Sequence, residues 1–272
     1  MKAVSFEFHR PASLAEASDI LVRYGGDARC LAGGQSLMPM LNLRLVRPAA
    51  IVDLSALAEL KSIEVSSTEV SVGALVTHSA LEFCGEAGVT FDFLRHVAAG
   101  IAYRGVRNRG TIGGSLAHAD PAADWPSCLL ALDAKVTISG PDGSREMPIA
   151  DFILGNFTVA LQPGEILTRV RIPLVSTKAR WGYYKHARKV GEFAEAIGCV
   201  VDDEARGACR VVAGAMSSPA VLLSGLAKGV RQNVTLDAIR RALAEAAPSV
   251  EGRHLHFHTV AVMRAMQSGV QQ

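Results

Sequence analysis

"CLAGGQSLMPMLNLRL", Cys30–Leu45, is the stretch on which the reading of this chain turns. An apolar run ends at Gly33-Gly34, Gln35 and Ser36 add polar side chains, and a helical pattern resumes at Leu37. Glycine lets a backbone approach a ligand with no Cβ in the way. Successive N–H groups in such a turn, beside a helix N-terminus, favour an anion. The pattern is neither G-x-G-x-x-G nor a Walker A loop, which needs Gly-Lys followed by Ser or Thr. Alone, it fits a tight structural turn equally well.

A second stretch repeats the theme. "RNRGTIGGSLAHADPAAD", Arg107–Asp124, carries Gly110, Gly113 and Gly114 with the hydroxyls of Thr111 and Ser115, and Arg104, Arg107 and Arg109 stand just upstream of those glycines. Two glycine–hydroxyl loops point to one extended phosphate ligand gripped from both ends, the shape of a dinucleotide. The competing reading is a solvated loop with surface arginines. Gly113-Gly114-Ser115-Leu116-Ala117 falls short of the hydrolase elbow G-x-S-x-G, although His118, Asp120 and Asp124 lie nearby. Alanine replaces the last glycine, and arginine-rich sequence stands where a strand should precede the serine.

Bulk properties narrow the class. The chain has 272 residues, 49% hydrophobic and 20% charged, with a net charge of +2. That is ample for a sizeable core, and near-neutrality argues against nucleic acid as partner. "RGVRNRG" lacks the interleaved aromatics of a nucleic-acid groove. No apolar run is long enough for a membrane span, and "MKAVSFEFHRPAS" has no signal-peptide core; the expectation is a cytoplasmic protein. Cys30, Cys84, Cys128, Cys199 and Cys209 form no C-x-x-C motif. They read as small buried hydrophobes rather than as disulfides, zinc ligands or cluster ligands.

Along the chain, α and β patterns alternate. "SFEF", "ARCLAG" and "AAIVDLS" read as strands, the second of them buried, around a helix capped by Ser13 and stopped by Gly25. "SIEVSSTEVSVGAL" reads as a hairpin, followed by helices near 77–84 and 91–99. "YRGVRNRGTIGGSLAHADPAADWP" shows no periodicity and reads as a long functional loop. A helix over 123–132, a hairpin around Pro141-Asp142-Gly143 and the strand "EILTRVRIP" follow. "LVSTKAR" is a linker, and beyond it come three strands and two or three helices, one capped by Thr235. His254, His256 and His258 run into a helical pattern, which scatters them around the axis and disfavours a metal site. Tyr183 and Lys185 share one face of a strand.

With both glycine loops in view, about 75 residues apart, the chain resembles the FAD-binding medium subunits of molybdenum hydroxylases, the family of the carbon monoxide and xanthine dehydrogenase flavoproteins. The likeness extends through "EILTRVRIP" and "YYKHARK". It implies an α+β protein: a two-part FAD-binding domain of the vanillyl-alcohol-oxidase-like (PCMH) type over residues 1–175, divided at about 57/58, and a C-terminal domain over 176–272 with a three-stranded antiparallel sheet and helices. It implies that Leu31, Ala32, Gly33, Gly34, Gln35, Ser36 and Leu37 wrap the FAD pyrophosphate, with Thr111, Gly113, Gly114 and Ser115 on the other side. Asp124 would bind the adenosine end, Ile101 would contact the flavin, and Leu167 and Lys185 would make further FAD contacts. Glu192-Phe193 replaces an arginine-rich stretch of the relatives, with Phe193 expected over the flavin ring.

The resemblance implies an electron-transfer subunit of an oxidoreductase. Molybdopterin and [2Fe–2S] clusters would sit on a large and a small partner subunit in a dimer of heterotrimers, since this chain has no motif for either. Two other readings remain open on sequence: a self-contained flavin oxidase or reductase, and a non-enzymatic nucleotide-binding module.

Overall fold

The computed structural model describes residues 2–229 and 234–270. The chain begins with β1 (Glu7–His9), α1 (Leu14–Tyr24), β2 (Ala28–Leu31), α2 (Leu37–Asn42) and β3 (Ala50–Asp53). The three strands form a parallel sheet in the order β1-β3-β2. Ser13 caps α1 by accepting from the Glu16 N–H, and Gly25 ends it. The first strand covers Glu7–His9 rather than "SFEF". As an edge strand, β2 leaves Arg29 and Cys30 exposed, so the expectation of a buried strand fails there. Only Cys128 and Cys199 are fully buried; Cys84 and Cys209 are partly so.

Next come β4 (Ile63–Val65), β5 (Glu69–Gly73), α3 (His78–Glu82), α4 (Val89–Gly100), α5 (Arg104–Arg107), α6 (Ile112–His118) and α7 (Asp124–Ala131). After these follow β6 (Lys135–Gly140), β7 (Gly143–Pro148), α8 (Ile149–Phe152), β8 (Ile153–Gly155), β9 (Thr158–Val159) and β10 (Ile166–Pro173). An antiparallel sheet of order β4-β5-β10-β6-β7 carries this unit, with β8 and β9 paired separately. The segment read as one long loop contains α5 and α6. Two glycines in α6 hide it from periodicity, because glycine is a poor helix former, yet Thr111 caps it by accepting from the Gly114 N–H at 3.0 Å.

The last elements are β11 (Arg180–His186), β12 (Ala196–Asp203), β13 (Ala208–Gly214), β14 (Val221–Leu222), α9 (Leu236–Ala246) and α10 (Gly252–Val270). The sheet has four strands in the order β11-β12-β13-β14, not the expected three. β14 is two residues long, too short for alternation to show, and is held by Val212–Leu222 and Ala213–Val221 pairing. The connector before β11 is tied down: Val175 donates to Thr90 Oγ1 at 2.9 Å, and the Ser176 N–H and hydroxyl both donate to Asp203.

One core runs from β5, β6 and β10 through α4, α6 and α7 to Cys199, Val201 and Val212 of the last sheet. Trp125, Phe93 and Phe152 are its largest fully buried side chains. On the opposite face of that sheet lies α10. A Cβ at Gly182 would come within 1.8 Å of the Ala265 carbonyl, and one at Gly198 within 2.3 Å of the Ala261 carbonyl. Both obstacles are backbone, so no rotamer change relieves the clash. Gly182→Ala is therefore expected to lower stability by about 2 kcal/mol or more, read as a lower urea midpoint; an unchanged midpoint would mean that α10 can shift freely on its sheet.

Candidate functional site

The two glycine loops meet. β2 ends at Leu31, the chain turns through Gly33 and Gly34, and α2 starts at Leu37. A Cβ at Gly33 would lie 2.0 Å from the Arg109 carbonyl oxygen and 2.9 Å from Gly110 Cα. A Cβ at Gly114 would lie 3.4 Å from that of Ala32. The contact is backbone against backbone, which only glycine at 33 permits. Gly34 takes a positive φ of 74°, and its carbonyl accepts from the Met38 N–H.

The amides of the two loops are used differently. Among the described residues, the backbone N–H groups of Gly33, Gly34, Gln35 and Ser36 have no acceptor within the chain. In the second loop Gly113 donates to the Ala74 carbonyl, Gly114 to Thr111 Oγ1 and Ser115 to the Thr111 carbonyl. The first loop thus offers donors, while the second is a rigid wall whose Gly113 packs tightly on Ala74.

Between them lies an open groove of ≈ 430 Å³, lined by Leu31, Gly33, Gly34, Gln35, Met38, Pro39, Asn42 and Arg109. Of the three arginines, Arg104 and Arg107 both bind the Glu82 carboxylate, at 3.1 and 2.8 Å. Arg109 is exposed, lines the groove and has no ion-pair partner among the described residues. Unengaged amides, a guanidinium and a backbone cradle closed to any Cβ fit a phosphate-bearing cofactor.

Met38, Pro39 and Asn42 were not foreseen. Met38 and Asn42 stand four apart on α2, the spacing of one helix face, and that was the available signal.

The other candidates lie elsewhere. Ile101 caps the end of α4, and its carbonyl accepts from Arg107 at 3.0 Å. Leu167 is buried in the core opposite Ile138. Asp124 and Lys185, read separately from the sequence, form one ion pair with Nζ at 3.0 and 3.1 Å from the two carboxylate oxygens. Tyr183 donates its hydroxyl to the same carboxylate at 2.5 Å. The pair is nearly sealed, with 6% of the Asp124 side chain and 14% of the Lys185 side chain exposed. Burial pushes the Asp124 carboxyl up, opposed by Lys185 and the Tyr183 hydroxyl. Phe193 points outward, 68% exposed, and Glu192 pairs with Arg188 at 3.3 Å.

Two side readings close. Ser115 lies within α6, so no nucleophile elbow forms, and the His118 ring packs tilted against Phe157, centroids 5.1 Å apart. No group of metal-ligating residues occurs among the described residues; His258 is buried in α10 between the carbonyls of His254 and Ala215.

Comparisons with known proteins show the family. Residues 4–175 match the family model described as the FAD binding domain in molybdopterin dehydrogenase. The carbon monoxide dehydrogenase medium chain of Afipia carboxidovorans is 38% identical over 205 residues, 75% of this chain and 71% of the relative. A chain of the carbon monoxide dehydrogenase from Hydrogenophaga pseudoflava superposes with a TM-score of 0.90 at 30% identity, covering 100% of this chain and 99% of its own. A chain of quinoline 2-oxidoreductase from Pseudomonas putida 86 gives 0.88 at 32% identity, covering 100% and 99%. No helix among the described residues is long and apolar enough to cross a membrane.

The second loop is braced by His78. Its N–H donates to the Gly110 carbonyl at 2.9 Å, and its Nδ1 accepts from Trp125 Nε1 at 3.1 Å. Burial pushes the imidazole down to about 4 from 6.5, with the Arg107 charge adding to the effect. The folded state holds His78 neutral while the unfolded chain protonates it below 6.5. Its contribution is therefore full above pH 6.5 and falls as pH drops towards 4. The expected loss is up to about 3 kcal/mol. Urea titrations across that range should show the decline, and His78→Gln should flatten it.

Proposed function

The chain belongs to the family of FAD-binding medium subunits of molybdenum hydroxylases, and from that premise we propose that it relays electrons from the iron–sulfur clusters of a partner subunit to an external acceptor. The observation that carries the reading is the seating of Gly33 on the Arg109–Gly110 backbone. That contact turns two distant glycine loops into one groove with free amides on one wall and a free cation on the other. In this reading residues 1–175 form the FAD-binding domain, in parts of about 1–57 and 58–175, and residues 176–272 the C-terminal domain.

When bound, FAD supplies the redox chemistry, accepting electrons singly and releasing them in pairs; the protein binds, orients and tunes. The residues from Leu31 to Leu37 hold the pyrophosphate through the amides of Gly33, Gly34, Gln35 and Ser36. Arg109 neutralises phosphate charge. Leu31, Met38 and Pro39 give the groove an apolar floor, and Asn42 a polar end. Thr111, Gly113, Gly114 and Ser115 keep the facing wall rigid, with the Ser115 hydroxyl offered to the cofactor. Ile101 and Leu167 support the apolar part of the site. Asp124 accepts from the cofactor at its edge while fixing the Lys185 ammonium in place. The two partners are a small iron–sulfur subunit and a large molybdopterin subunit, assembled as a dimer of heterotrimers.

The test is flavin content. Gly33→Ala should strip most flavin absorbance from the purified complex. Arg109→Ala, which touches no internal partner, should weaken FAD binding about tenfold, as expected for one charge-assisted contact, with the urea midpoint of the FAD-free chain unchanged. Wild-type-like FAD binding by Arg109→Ala, together with an unfolded Gly33→Ala, would return the groove to a purely structural role.

A further inference from the structure

Strand β11 divides its side chains between two neighbours. Gly182 and Tyr184 face α10: the first leaves room for the Ala265 carbonyl, and the Arg264 guanidinium lies 4.8 Å over the ring of the second. Trp181, Tyr183 and Lys185 alternate onto the other face. There the Trp181 ring packs against Phe93 and His96 of α4, with centroids 5.1 and 5.0 Å away. Tyr183 meets the His96 ring edge-on at 5.9 Å and pairs across the sheet with Cys199 of β12. Its hydroxyl reaches Oδ1 of Asp124, the first residue of α7, at 2.5 Å.

Lys185 alone does not orient that carboxylate. Its Nζ straddles both oxygens at 3.0 and 3.1 Å, and an ammonium is a point charge with rotatable donors. A phenol on a packed ring donates along one direction and so fixes where Oδ1 sits. It also favours the charged form. Burial opposes ionisation of Asp124, and Lys185 and the Tyr183 hydroxyl act against that burial. A hydrogen bond to a carboxylate stabilises it over the acid, and does so more strongly away from water. A protonated Asp124 would become a donor at one oxygen and leave Lys185 uncompensated.

The other titratable groups nearby do not replace this bond. Cys128 of α7 and Cys199 of β12 bring thiols, and His96 of α4 an imidazole. Burial pushes the Cys128 thiol up and the His96 imidazole down, each away from its charged form. Burial also pushes the Tyr183 phenol well above its ordinary value, so it keeps the proton that it donates.

We infer that Tyr183 is a positioning residue for the cofactor site: its hydroxyl holds the Asp124 carboxylate in place as an acceptor and thereby keeps Lys185 paired. The inference rests on the proposed contact of Asp124 with FAD.

The test titrates FAD into the flavin-stripped complex and follows the quenching of flavin fluorescence. Tyr183→Phe keeps the ring and removes only the hydroxyl. The binding form is the carboxylate, so affinity falls as pH drops through the carboxyl's titration, and the variant meets that fall at the higher pH. Losing one charge-assisted bond moves the carboxyl up by about one unit. The ratio of variant to wild-type Kd should therefore stay within about twofold at about pH 8 and reach about tenfold at about pH 5. Tyr184→Phe removes a hydroxyl from the opposite face of β11 and should give a ratio near one throughout. A Tyr183→Phe ratio that does not change with pH overturns the inference, because a purely structural contribution weakens binding alike at every pH. So does failure of the variant to bind FAD at about pH 8. A wild-type complex that takes up no FAD at any pH fails the cofactor reading instead.

Discussion

Everything at the candidate site depends on one contact between two stretches of backbone. Gly33 lies against Arg109 and Gly110 with no room for a methyl group. The Gly110 carbonyl accepts from the His78 N–H, and the His78 ring accepts from Trp125. Trp125 adjoins Asp124, whose carboxylate holds Tyr183 and Lys185 of β11. A continuous series of short contacts thus runs from the first loop to the last sheet. A displacement at Gly33 therefore meets resistance from the core, because close-packed interiors transmit strain rather than absorb it.

The two loops look alike as sequence and differ as chemistry. Both have paired glycines and a hydroxyl at the start of a short helix, ahead of α2 in the first and within the first turn of α6 in the second. In the second loop the hydroxyl of Thr111 caps its own helix, and the neighbouring amides bond to Ala74 and Thr111. In the first, Ser36 makes no side-chain cap and the preceding amides point to no internal acceptor. Buried or clustered amides without partners are uncommon in folded proteins, which makes the first loop the wall with ligand-binding capacity. The second supplies stiffness and, through Arg109, charge.

Much of the fold was legible because its elements carry local signals: the Ser13 and Thr235 caps, the alternation of β10, and the tight turn between β6 and β7. What was not legible has specific causes. α6 was obscured by glycines that serve packing on Ala74 and the loop contact. β14 is too short to show a period. Cys30 reads as buried only if β2 is central, and strand order is a tertiary property. At the site, the glycines were visible, but the sorting of the arginines was not. Glu82 lies 22 and 25 residues before Arg104 and Arg107, and no local pattern says that it claims both of them and leaves Arg109 free.

The same long-range pairing changes how charge is distributed around the cofactor site. Read from sequence, Lys185 is a lone cation on a strand and Asp124 a lone anion on a helix. Folded, they neutralise each other behind a nearly closed surface, with the Tyr183 hydroxyl bonded to the carboxylate. Removing one partner of a buried pair leaves the other charge stranded and costs about 3–5 kcal/mol, so neither residue is free to vary independently. The net electrostatic influence of the pair on a bound ligand is that of a dipole, which falls off faster with distance than a charge does. A full positive charge able to act on phosphate at range must come from a side chain without an internal counter-ion. Among the groove-lining residues that description fits Arg109, which stands beside the one contact that brings the two loops together.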